Sequence, residues 1–287
     1  MLKSIFPRFP GGLSRALTFS YDDDVTQNIR LLEAFRKYGC KATFNLNAGR
    51  FRGENEPVLD PRIPMLTERE ALDLFADDPS AEVACHGEHH TFMQYLPTAL
   101  TAQEVLNDRL YLEKMFHRII KGMAYPFGDH NDDVVEILRL AGIRYCRKVG
   151  SSLNFDLPRD WRRLQATCHH GNKELFNLAD RFLEPCHGVP KLFYVWGHAY
   201  EFDLDDNWDR METLLQKVGG REDVWYCTNG ELYDYLDAYG RLEYAADGSL
   251  VHNPTAVTLW IGCPYQVFCI RPGETLEIDV ANLPLKE

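Results

Sequence analysis

Residues 14–47 read SRALTFSYDDDVTQNIRLLEAFRKYGCKATFNLN, and this stretch decides the fold. The β-forming side chains of residues 14–22 predict a strand. Apolar residues then recur at helical spacing, with Gly39 placed to end the helix. These residues are Ile29, Leu31, Leu32, Phe35 and Tyr38. KATFNLN predicts a second strand. A strand, a helix and another strand in succession predict a parallel pair of strands joined by a crossover helix.

The same alternation continues along the chain. Further strands are predicted at Ala81–Cys85, 122–127, 143–149, Leu192–Trp196 and Val224–Cys227. Helices are predicted at about 67–76, 102–120, 132–141, 175–183, 208–218 and 230–239, with a loop at 49–64 and irregular chain at 151–172. About seven such units predict an α/β barrel, complete or incomplete, over residues 1–240. Short alternating runs between turns then predict a small antiparallel β extension over 241–287.

Composition excludes several classes of protein. The 287 residues are 45% hydrophobic and 26% charged, which is typical of a globular chain, and the net charge of -12 argues against a nucleic-acid partner. The longest apolar run, Leu192–Trp196, is far shorter than the roughly 20 residues of a membrane span. We see no secretory signal, so we expect a cytoplasmic protein with reduced thiols at its eight cysteines. The oligomeric state stays open.

Polar side chains follow the predicted strands at their carboxyl ends, where α/β barrels place their active sites. Three aspartates, 22–24, follow the first strand, and HGEHH (residues 86–90) follows the third. Further candidates lie at or near the ends of later strands: Phe127, Asp129, Arg147 and His198. Each of these features alone is common in solvated turns or in the core. Their repetition at successive strand ends predicts a catalytic site.

His86 and His90 are the candidate metal ligands. If the chain turns helically after His86, the two imidazoles lie on one face. Asp22 or Asp23 would supply a carboxylate. Two histidines and one carboxylate leave a position of a tetrahedral zinc ion open for water or substrate, as in catalytic sites.

Four ordered motifs resemble those of the polysaccharide deacetylases with a NodB homology domain, carbohydrate esterase family 4. They are Thr18–Asp23, His86–His90, Ala124–Gly128 and Leu192–His198. The resemblance covers roughly residues 14–240. It implies a distorted, incomplete (β/α) barrel, NodB-like and related to the TIM barrel.

The resemblance also implies roles for individual residues. Asp22 is expected to be the general base and His198 the general acid. Asp23 is expected to bind the metal together with His86 and His90. The Phe127 backbone N–H is expected to stabilise the oxyanion. The implied cofactor is a divalent metal, with zinc expected first and iron, cobalt, nickel or manganese also compatible with these ligands.

This chain departs from the family pattern at three places. Asp24 stands where the family usually has glycine; a third carboxylate here could raise the pKa of Asp22, but we expect it to face solvent. Ala124 replaces an arginine that pairs with the base in many members, and Arg147 could supply this cation if it lies within about 6 Å of Asp22. Trp161 follows Asp160 in a loosely matched motif, where it could line the groove or pack internally.

Other residues near the predicted site are candidates for contacts with the substrate or with the catalytic groups. They are Tyr125, Pro126, His169, His170, Glu201 and Trp208, with His89 as an alternative metal ligand. His117 and His252 are expected to have no catalytic role.

The expected activity is hydrolysis of an acetyl group from an N-acetylated sugar or oligosaccharide. An acetyl ester or a small amide could be hydrolysed at the same site, and the barrel could instead bind carbohydrate without turnover. The missing signal favours a short oligosaccharide, an activated sugar or another small amide over a wall polymer.

Overall fold

A computed structural model describes residues 4–186, 188–263 and 266–278. Its strands are β1 (Phe6–Arg8), β2 (Arg15–Asp22), β3 (Ala42–Leu46), β4 (Ala81–Cys85), β5 (Gly122–Ala124), β6 (Tyr145–Lys148), β7 (Leu164–Gln165), β8 (Cys168–His169), β9 (Lys191–His198), β10 (Trp225–Tyr226), β11 (Glu243–Tyr244), β12 (Leu250–His252), β13 (Leu259–Cys263), β14 (Gln266–Ile270) and β15 (Thr275–Glu277). Its helices are α1 (Gln27–Lys37), α2 (Glu68–Phe75), α3 (Thr98–Phe116), α4 (Asp132–Leu140), α5 (Leu175–Leu183), α6 (Glu201–Leu204), α7 (Trp208–Val218) and α8 (Asn229–Tyr239).

The main sheet is parallel throughout. Its order is β7-β6-β5-β4-β3-β2-β9-β8, and β10 pairs with β2. The outermost strands β7 and β8 are separated in the chain by only Ala166 and Thr167. The sheet therefore curls until its two ends lie close together, with helices in the crossovers. This confirms the predicted distorted, incomplete (β/α) barrel.

The central strand β2 separates an apolar outer layer from a polar interior. All eight of its residues are buried, and successive side chains point to opposite faces of the sheet. Phe19 packs outward against Phe35 of α1, with ring centroids 4.6 Å apart. On the inner face, Thr18 donates to Asn229 and Ser20 accepts from Asn45. This inner row of polar side chains ends at Asp22.

The helices begin and end for local reasons. Thr67 and Glu70 form a capping box at the start of α2. Helix α3 ends four residues earlier than predicted, because His117 adopts a left-handed conformation with φ 51°. The prediction of irregular chain over 151–172 was wrong in part. Strands β7 and β8 lie there, and two-residue strands are too short to show alternation.

Two small antiparallel sheets lie outside the barrel, with the orders β1-β13-β14 and β11-β12-β15. The predicted antiparallel extension is thus present, and β13 pairs with β1 from the other end of the chain. The division at residues 240 and 241 stays a prediction. Residues 1–3, 187, 264–265 and 279–287, which include both outer limits of the predicted domains, lie outside the described residues.

The described cysteines form no disulfide, and six of the eight thiols are buried. Among the helices that the structure describes, none combines the length and the apolar character required to cross a bilayer.

Candidate active site

Parallel pairing brings the carboxyl ends of β2, β3, β4 and β9 to one edge of the barrel. Asp22 lies beside His198 in the register of β2 and β9, and beside Asn45 in the register of β2 and β3. His86 directly follows the last residue of β4. The sheet therefore gathers three of the predicted residues, Asp22, His86 and His198, which are far apart in sequence.

Asp22 is buried in an ion pair with Arg147. Its Oδ2 accepts a hydrogen bond from Arg147 Nη2, and its Oδ1 accepts one from Asn45 Nδ2 at 2.8 Å. Burial opposes the charged carboxylate, but Arg147, His86 and His198 outweigh it and lower the pKa of Asp22 to about 2. Arg147, on β6, therefore lies within the distance of about 6 Å from Asp22 that the sequence analysis required for this ion pair.

Asp23, His86 and His90 form a candidate metal site. One ligand atom from each lies within 4.8 Å of the others. His86 Nδ1 donates to the carbonyl of Ala124 at 2.8 Å, so the lone pair is on Nε2. Nε2 is buried and has no hydrogen-bond partner among the described residues. Burial lowers the pKa of His86, and burial together with His86 lowers that of His90 to about 4, so both imidazoles are neutral near pH 7.

The loop after β4 positions the two histidines without a helix. Gly87 and His90 both have left-handed backbones, with φ of 79° and 56°. The ring centroids of His86 and His90 lie 4.7 Å apart. The expected helical turn was therefore wrong as an explanation of their proximity. The left-handed backbone at this position favours glycine, and a Cβ at Gly87 would lie 2.7 Å from Met93 Cε, the end of a flexible side chain that would have to shift.

His198 faces Asp22 on one side and Glu201 on the other. Its Nε2 lies 3.8 Å from Asp22 Oδ2, and its Nδ1 lies 3.1 Å from Glu201 Oε1. Burial disfavours the protonated ring, but the hydrogen bond to Glu201 and the charge of Asp22 outweigh it, so the pKa of His198 is raised. The ring can therefore hold a proton near neutral pH.

Phe127 stands in a row of exposed aromatic rings beside His90. It has a left-handed backbone with φ 59°, and its ring lies edge-on to His90 at 4.5 Å. Phe92 stacks on it at 3.8 Å, and Tyr95 follows at 6.4 Å. We call Phe92, Tyr95 and Phe127 the aromatic shelf. Tyr125 and Pro126 are buried behind Phe127, and the Tyr125 hydroxyl donates to the carbonyl of Arg162.

Several candidates lie away from this site. Trp161 packs edge-on against Tyr233 of α8, with ring centroids 5.0 Å apart. Of the two roles expected for Trp161, this contact agrees with internal packing and not with lining the groove. His89 is turned to Glu104, at 2.9 Å. Trp208 packs on Phe202. The expectation that Asp24 faces solvent was wrong: it is fully buried and accepts the Asn47 N–H, and burial raises its pKa.

The sequence interpretation missed three residues that support the site. Asn45 donates to Asp22, and Arg50 Nη1 donates to Asp23 Oδ1 at 2.8 Å. Buried Asp108 accepts the N–H groups of Ala48 and His86, and thereby ties β3 to β4. Asn45 could have been found as a polar residue inside an apolar strand. Arg50 lies in a loop and Asp108 in a helix, where charged residues carry no such signal.

Comparison with known proteins agrees with this description. The sequence model of the family described as Polysaccharide deacetylase matches residues 12–146. A search of curated proteins finds no match.

Solved structures with a TM-score above 0.5 share the fold. A candidate polysaccharide deacetylase from Mycobacterium smegmatis is 14% identical, with 82% of this chain and 94% of that one covered and a TM-score of 0.57. A mutant of a CE4 family pseudoenzyme from Bacillus anthracis, with restored enzymatic activity, is 18% identical over 80% and 70%, with a TM-score of 0.51. A Streptococcus pyogenes deacetylase in complex with acetate is 18% identical over 46% and 55%, with a TM-score of 0.41. The chain thus spans about half the length of that last protein.

Proposed function

Since the sequence model of the polysaccharide deacetylase family matches residues 12–146 of this chain, we propose that it is a metal-dependent hydrolase that removes an acetyl group from an N-acetylated sugar or oligosaccharide. The observation that carries the proposal is the buried lone pair of His86 Nε2, which has no partner among the described residues and lies within 4.8 Å of ligand atoms of Asp23 and His90. A buried polar atom without a partner is costly, and a metal ion would satisfy it.

The donor set fits a divalent metal. Two neutral imidazoles and one carboxylate suit zinc, and iron, cobalt, nickel and manganese also accept these ligands. Asp23, His86 and His90 would hold the ion. When bound, it would polarise the acyl carbonyl and lower the pKa of a water molecule.

Asp22 is proposed as the general base. Arg147 and Asn45 hold its carboxylate in one orientation, and its lowered pKa keeps it ionised at neutral pH. Its Oδ2 lies 3.8 Å from His86 Nε2, so it can accept a proton from a water molecule beside the metal ligands.

His198 is proposed as the general acid. Its Nε2 also lies 3.8 Å from Asp22 Oδ2, and its raised pKa maintains a protonated fraction near neutral pH. It would transfer the Nε2 proton to the leaving amine nitrogen, which is a poor leaving group without that proton. The backbone N–H of Phe127 is proposed to stabilise the oxyanion.

The aromatic shelf supports a carbohydrate substrate. These residues are 51% (Phe127), 50% (Phe92) and 77% (Tyr95) exposed, and successive ring centroids from His90 outward lie 4.5, 3.8 and 6.4 Å apart. Exposed aromatic patches commonly mark binding sites. The C–H face of a sugar ring would cover this shelf while its acetamido group enters the site.

The test is acetate release by the metal-loaded full chain from N-acetylglucosamine, its oligomers and acetylated xylo-oligosaccharides. We expect release from the N-acetylated oligomers and, in His86→Ala, loss of both bound metal and release. His117→Asn removes an exposed imidazole in another part of the chain and should retain both. Release of acetate from the esters alone would show that the substrate is an acetyl ester and not an N-acetyl amide. Bound metal with no release from any substrate would contradict hydrolysis and favour a carbohydrate-binding barrel.

A further inference from the structure

Three imidazoles converge on the carboxylate of Glu201. Oε1 lies 3.1 Å from His198 Nδ1, and Oε2 lies 3.0 Å from both His169 Nε2 and His170 Nε2. Glu201 begins α6, one turn after His198 ends β9, so a short stretch of chain holds the carboxylate against the ring. This cluster lies outside the candidate metal site.

The hydrogen-bond chemistry assigns the tautomer of each ring. An ionised carboxylate only accepts hydrogen bonds, so each nitrogen that faces Glu201 carries a hydrogen. His169 supports this independently, because its Nδ1 accepts the N–H of Gly171 at 3.0 Å and therefore leaves the hydrogen on Nε2. His170 Nδ1 lies 3.2 Å from the Tyr21 hydroxyl, which can donate to it.

The same reasoning places the exchangeable proton of His198. With a hydrogen kept on Nδ1 by Glu201, the second proton binds and leaves at Nε2, which faces Asp22. Without Glu201, the neutral ring could instead carry its hydrogen on Nε2 and leave Nδ1 unpaired, or rotate away from Asp22.

We propose that Glu201 is the positioning residue of His198, and that it fixes the Nδ1–H tautomer so that Nε2 delivers the proton. The proposal rests on the proposed role of His198 as general acid. In the step, the Nε2–H bond of the imidazolium breaks and an N–H bond forms on the leaving amine. His198 then remains neutral with its hydrogen on Nδ1. His169 and His170 hold the second oxygen of Glu201 and so keep its carboxylate in place.

The charges around His198 are consistent with this role. Asp22 and Asp23 approach from the end of β2, His169 from β8, and Glu201 and Tyr200 from the chain after β9. The contacts with three imidazoles lower the pKa of Glu201 despite its burial, so it stays ionised over the working pH range.

The His170 ring packs closely between β9 and α6. A Cβ at Gly197 would lie 2.1 Å from His170 Nδ1, so only glycine allows the His170 ring to pack against β9. His170 stacks on Phe202 of α6 at 4.2 Å, which positions the helix that carries Glu201.

The experiment compares Glu201→Gln with the wild type in two measurements. Glutamine has one acceptor oxygen for three donors, so it cannot keep all three tautomers. Histidine ¹⁵N shifts, with His198 assigned from His198→Asn, should show hydrogen on Nδ1 in the neutral wild-type ring and a loss of this preference in Glu201→Gln. The pKa of His198 should fall by about 1 to 2 units.

In turnover, Glu201→Gln should lower kcat for acetate release by roughly 10²- to 10⁴-fold with little change in KM. The basic limb of its pH profile should also move to lower pH. Glu201→Asp, which restores a carboxylate, should recover part of both effects. Asp203→Asn is the matched control, because Asp203 lies on α6 but binds Gln27 and Trp208.

Two outcomes separate this inference from the proposed function. If Glu201→Gln leaves the ¹⁵N shifts, the His198 titration and the pH profile unchanged, the positioning role is wrong, even where acetate is released. If the ¹⁵N shifts change as expected but no acyl substrate is turned over by the wild type, the tautomer assignment stands and the proposed function fails.

Discussion

Asp22 and Arg147 form the central charge pair of the site. Both side chains are buried, and the Arg147 guanidinium also lies over the Trp196 ring at 4.3 Å. Ala124 on β5 replaces the arginine expected from the family pattern, and Arg147 comes from the adjacent strand β6. Arg147 on β6 therefore supplies to Asp22 the cation that the family pattern would place at position 124 on β5. A buried ion pair contributes little net stability while it is intact, but removal of one partner is costly.

Asp22→Asn is expected to lower turnover strongly and keep the metal. Loss of the base should lower acetate release by roughly 10²- to 10⁴-fold, and metal content should stay unchanged because Asp23, His86 and His90 are intact. Arg147 would become an uncompensated buried charge, so the free energy of unfolding should fall by about 3–5 kcal/mol. Acetate assays, metal analysis and urea unfolding measure the three quantities. Asp205→Asn, at an exposed aspartate, serves as the control.

The stability difference between wild type and Asp22→Asn should depend on pH in a defined direction. The pKa of Asp22 is about 2 in the fold and near 3.9 in an unfolded chain, so its contribution is present above pH 4. It is lost as the pH falls from about 4 toward 2. In metal-free protein, the two unfolding curves should therefore converge over this interval. A difference that stays constant down to pH 2 would contradict the ion pair.

At the scale of elements, hydrophobic periodicity predicted the strands that are buried on both faces. Strand β2 was predicted within one residue, and α5 and α7 at their observed bounds, because apolar spacing decides them. Apolar spacing could not predict the conformation of the loop after β4. Its two left-handed residues, Gly87 and His90, follow no hydrophobic period, and Gly87 lies close to Met93 and Pro126 from later parts of the chain.

The candidate site was predictable to a similar extent. Strand ends and motifs identified Asp22, His86 and His198, since parallel strands bring their carboxyl ends to one edge. Burial of Asp24 was not predictable, because the Asn47 N–H that it binds follows a different strand. The convergence of His169 and His170 on Glu201 depends on how β8 lies beside β9, which no local pattern encodes.

Gly87→Ala is expected to disturb the metal site through the loop that carries it. Alanine there meets both the strain of φ 79° and a 2.7 Å contact with Met93 Cε. Strain of this kind costs about 1–3 kcal/mol, and a shift of the loop would separate His86 from His90. Isothermal titration with zinc should show weaker binding by at least roughly tenfold.

Gly39→Ala is the matched control for this change. Gly39 also has a left-handed backbone, with φ 65°, but a Cβ there has nothing within 4 Å. It should lower the free energy of unfolding by the conformational cost alone and leave zinc affinity at the wild-type value. Equal zinc affinities in the two alanine variants would show that the turn at Gly87 does not position the ligands.

At the scale of the whole molecule, the C-terminal strands pack against the barrel and pair with the N-terminal strand. Pro7 of β1 lies opposite Ile261 of β13, and the Tyr235 hydroxyl of α8 accepts the N–H of Trp260 and donates to the carbonyl of Arg8. Leu232 and Tyr235 belong to the same buried cluster as Ile261. Helix α8 therefore has one face on the barrel and another on the extension. The two parts share a core, although the chain between 240 and 241 was predicted as a boundary.

Because of this shared core, Ile261→Ala is expected to destabilise the barrel as well as the extension. Ile261 is fully buried, so the substitution should lower the free energy of unfolding by about 2–5 kcal/mol, whereas Val267→Ala on β14, at a half-exposed residue, should stay within about 0.5 kcal/mol. Far-ultraviolet circular dichroism and the loss of acetate release should follow one urea transition, since a cooperative unit unfolds as a whole. If the extension folded separately, Ile261→Ala would produce an early transition in circular dichroism while acetate release kept the wild-type midpoint. That result would make residues 1–240 an independent unit, and the pairing of β1 with β13 would then contribute nothing to the stability of the barrel.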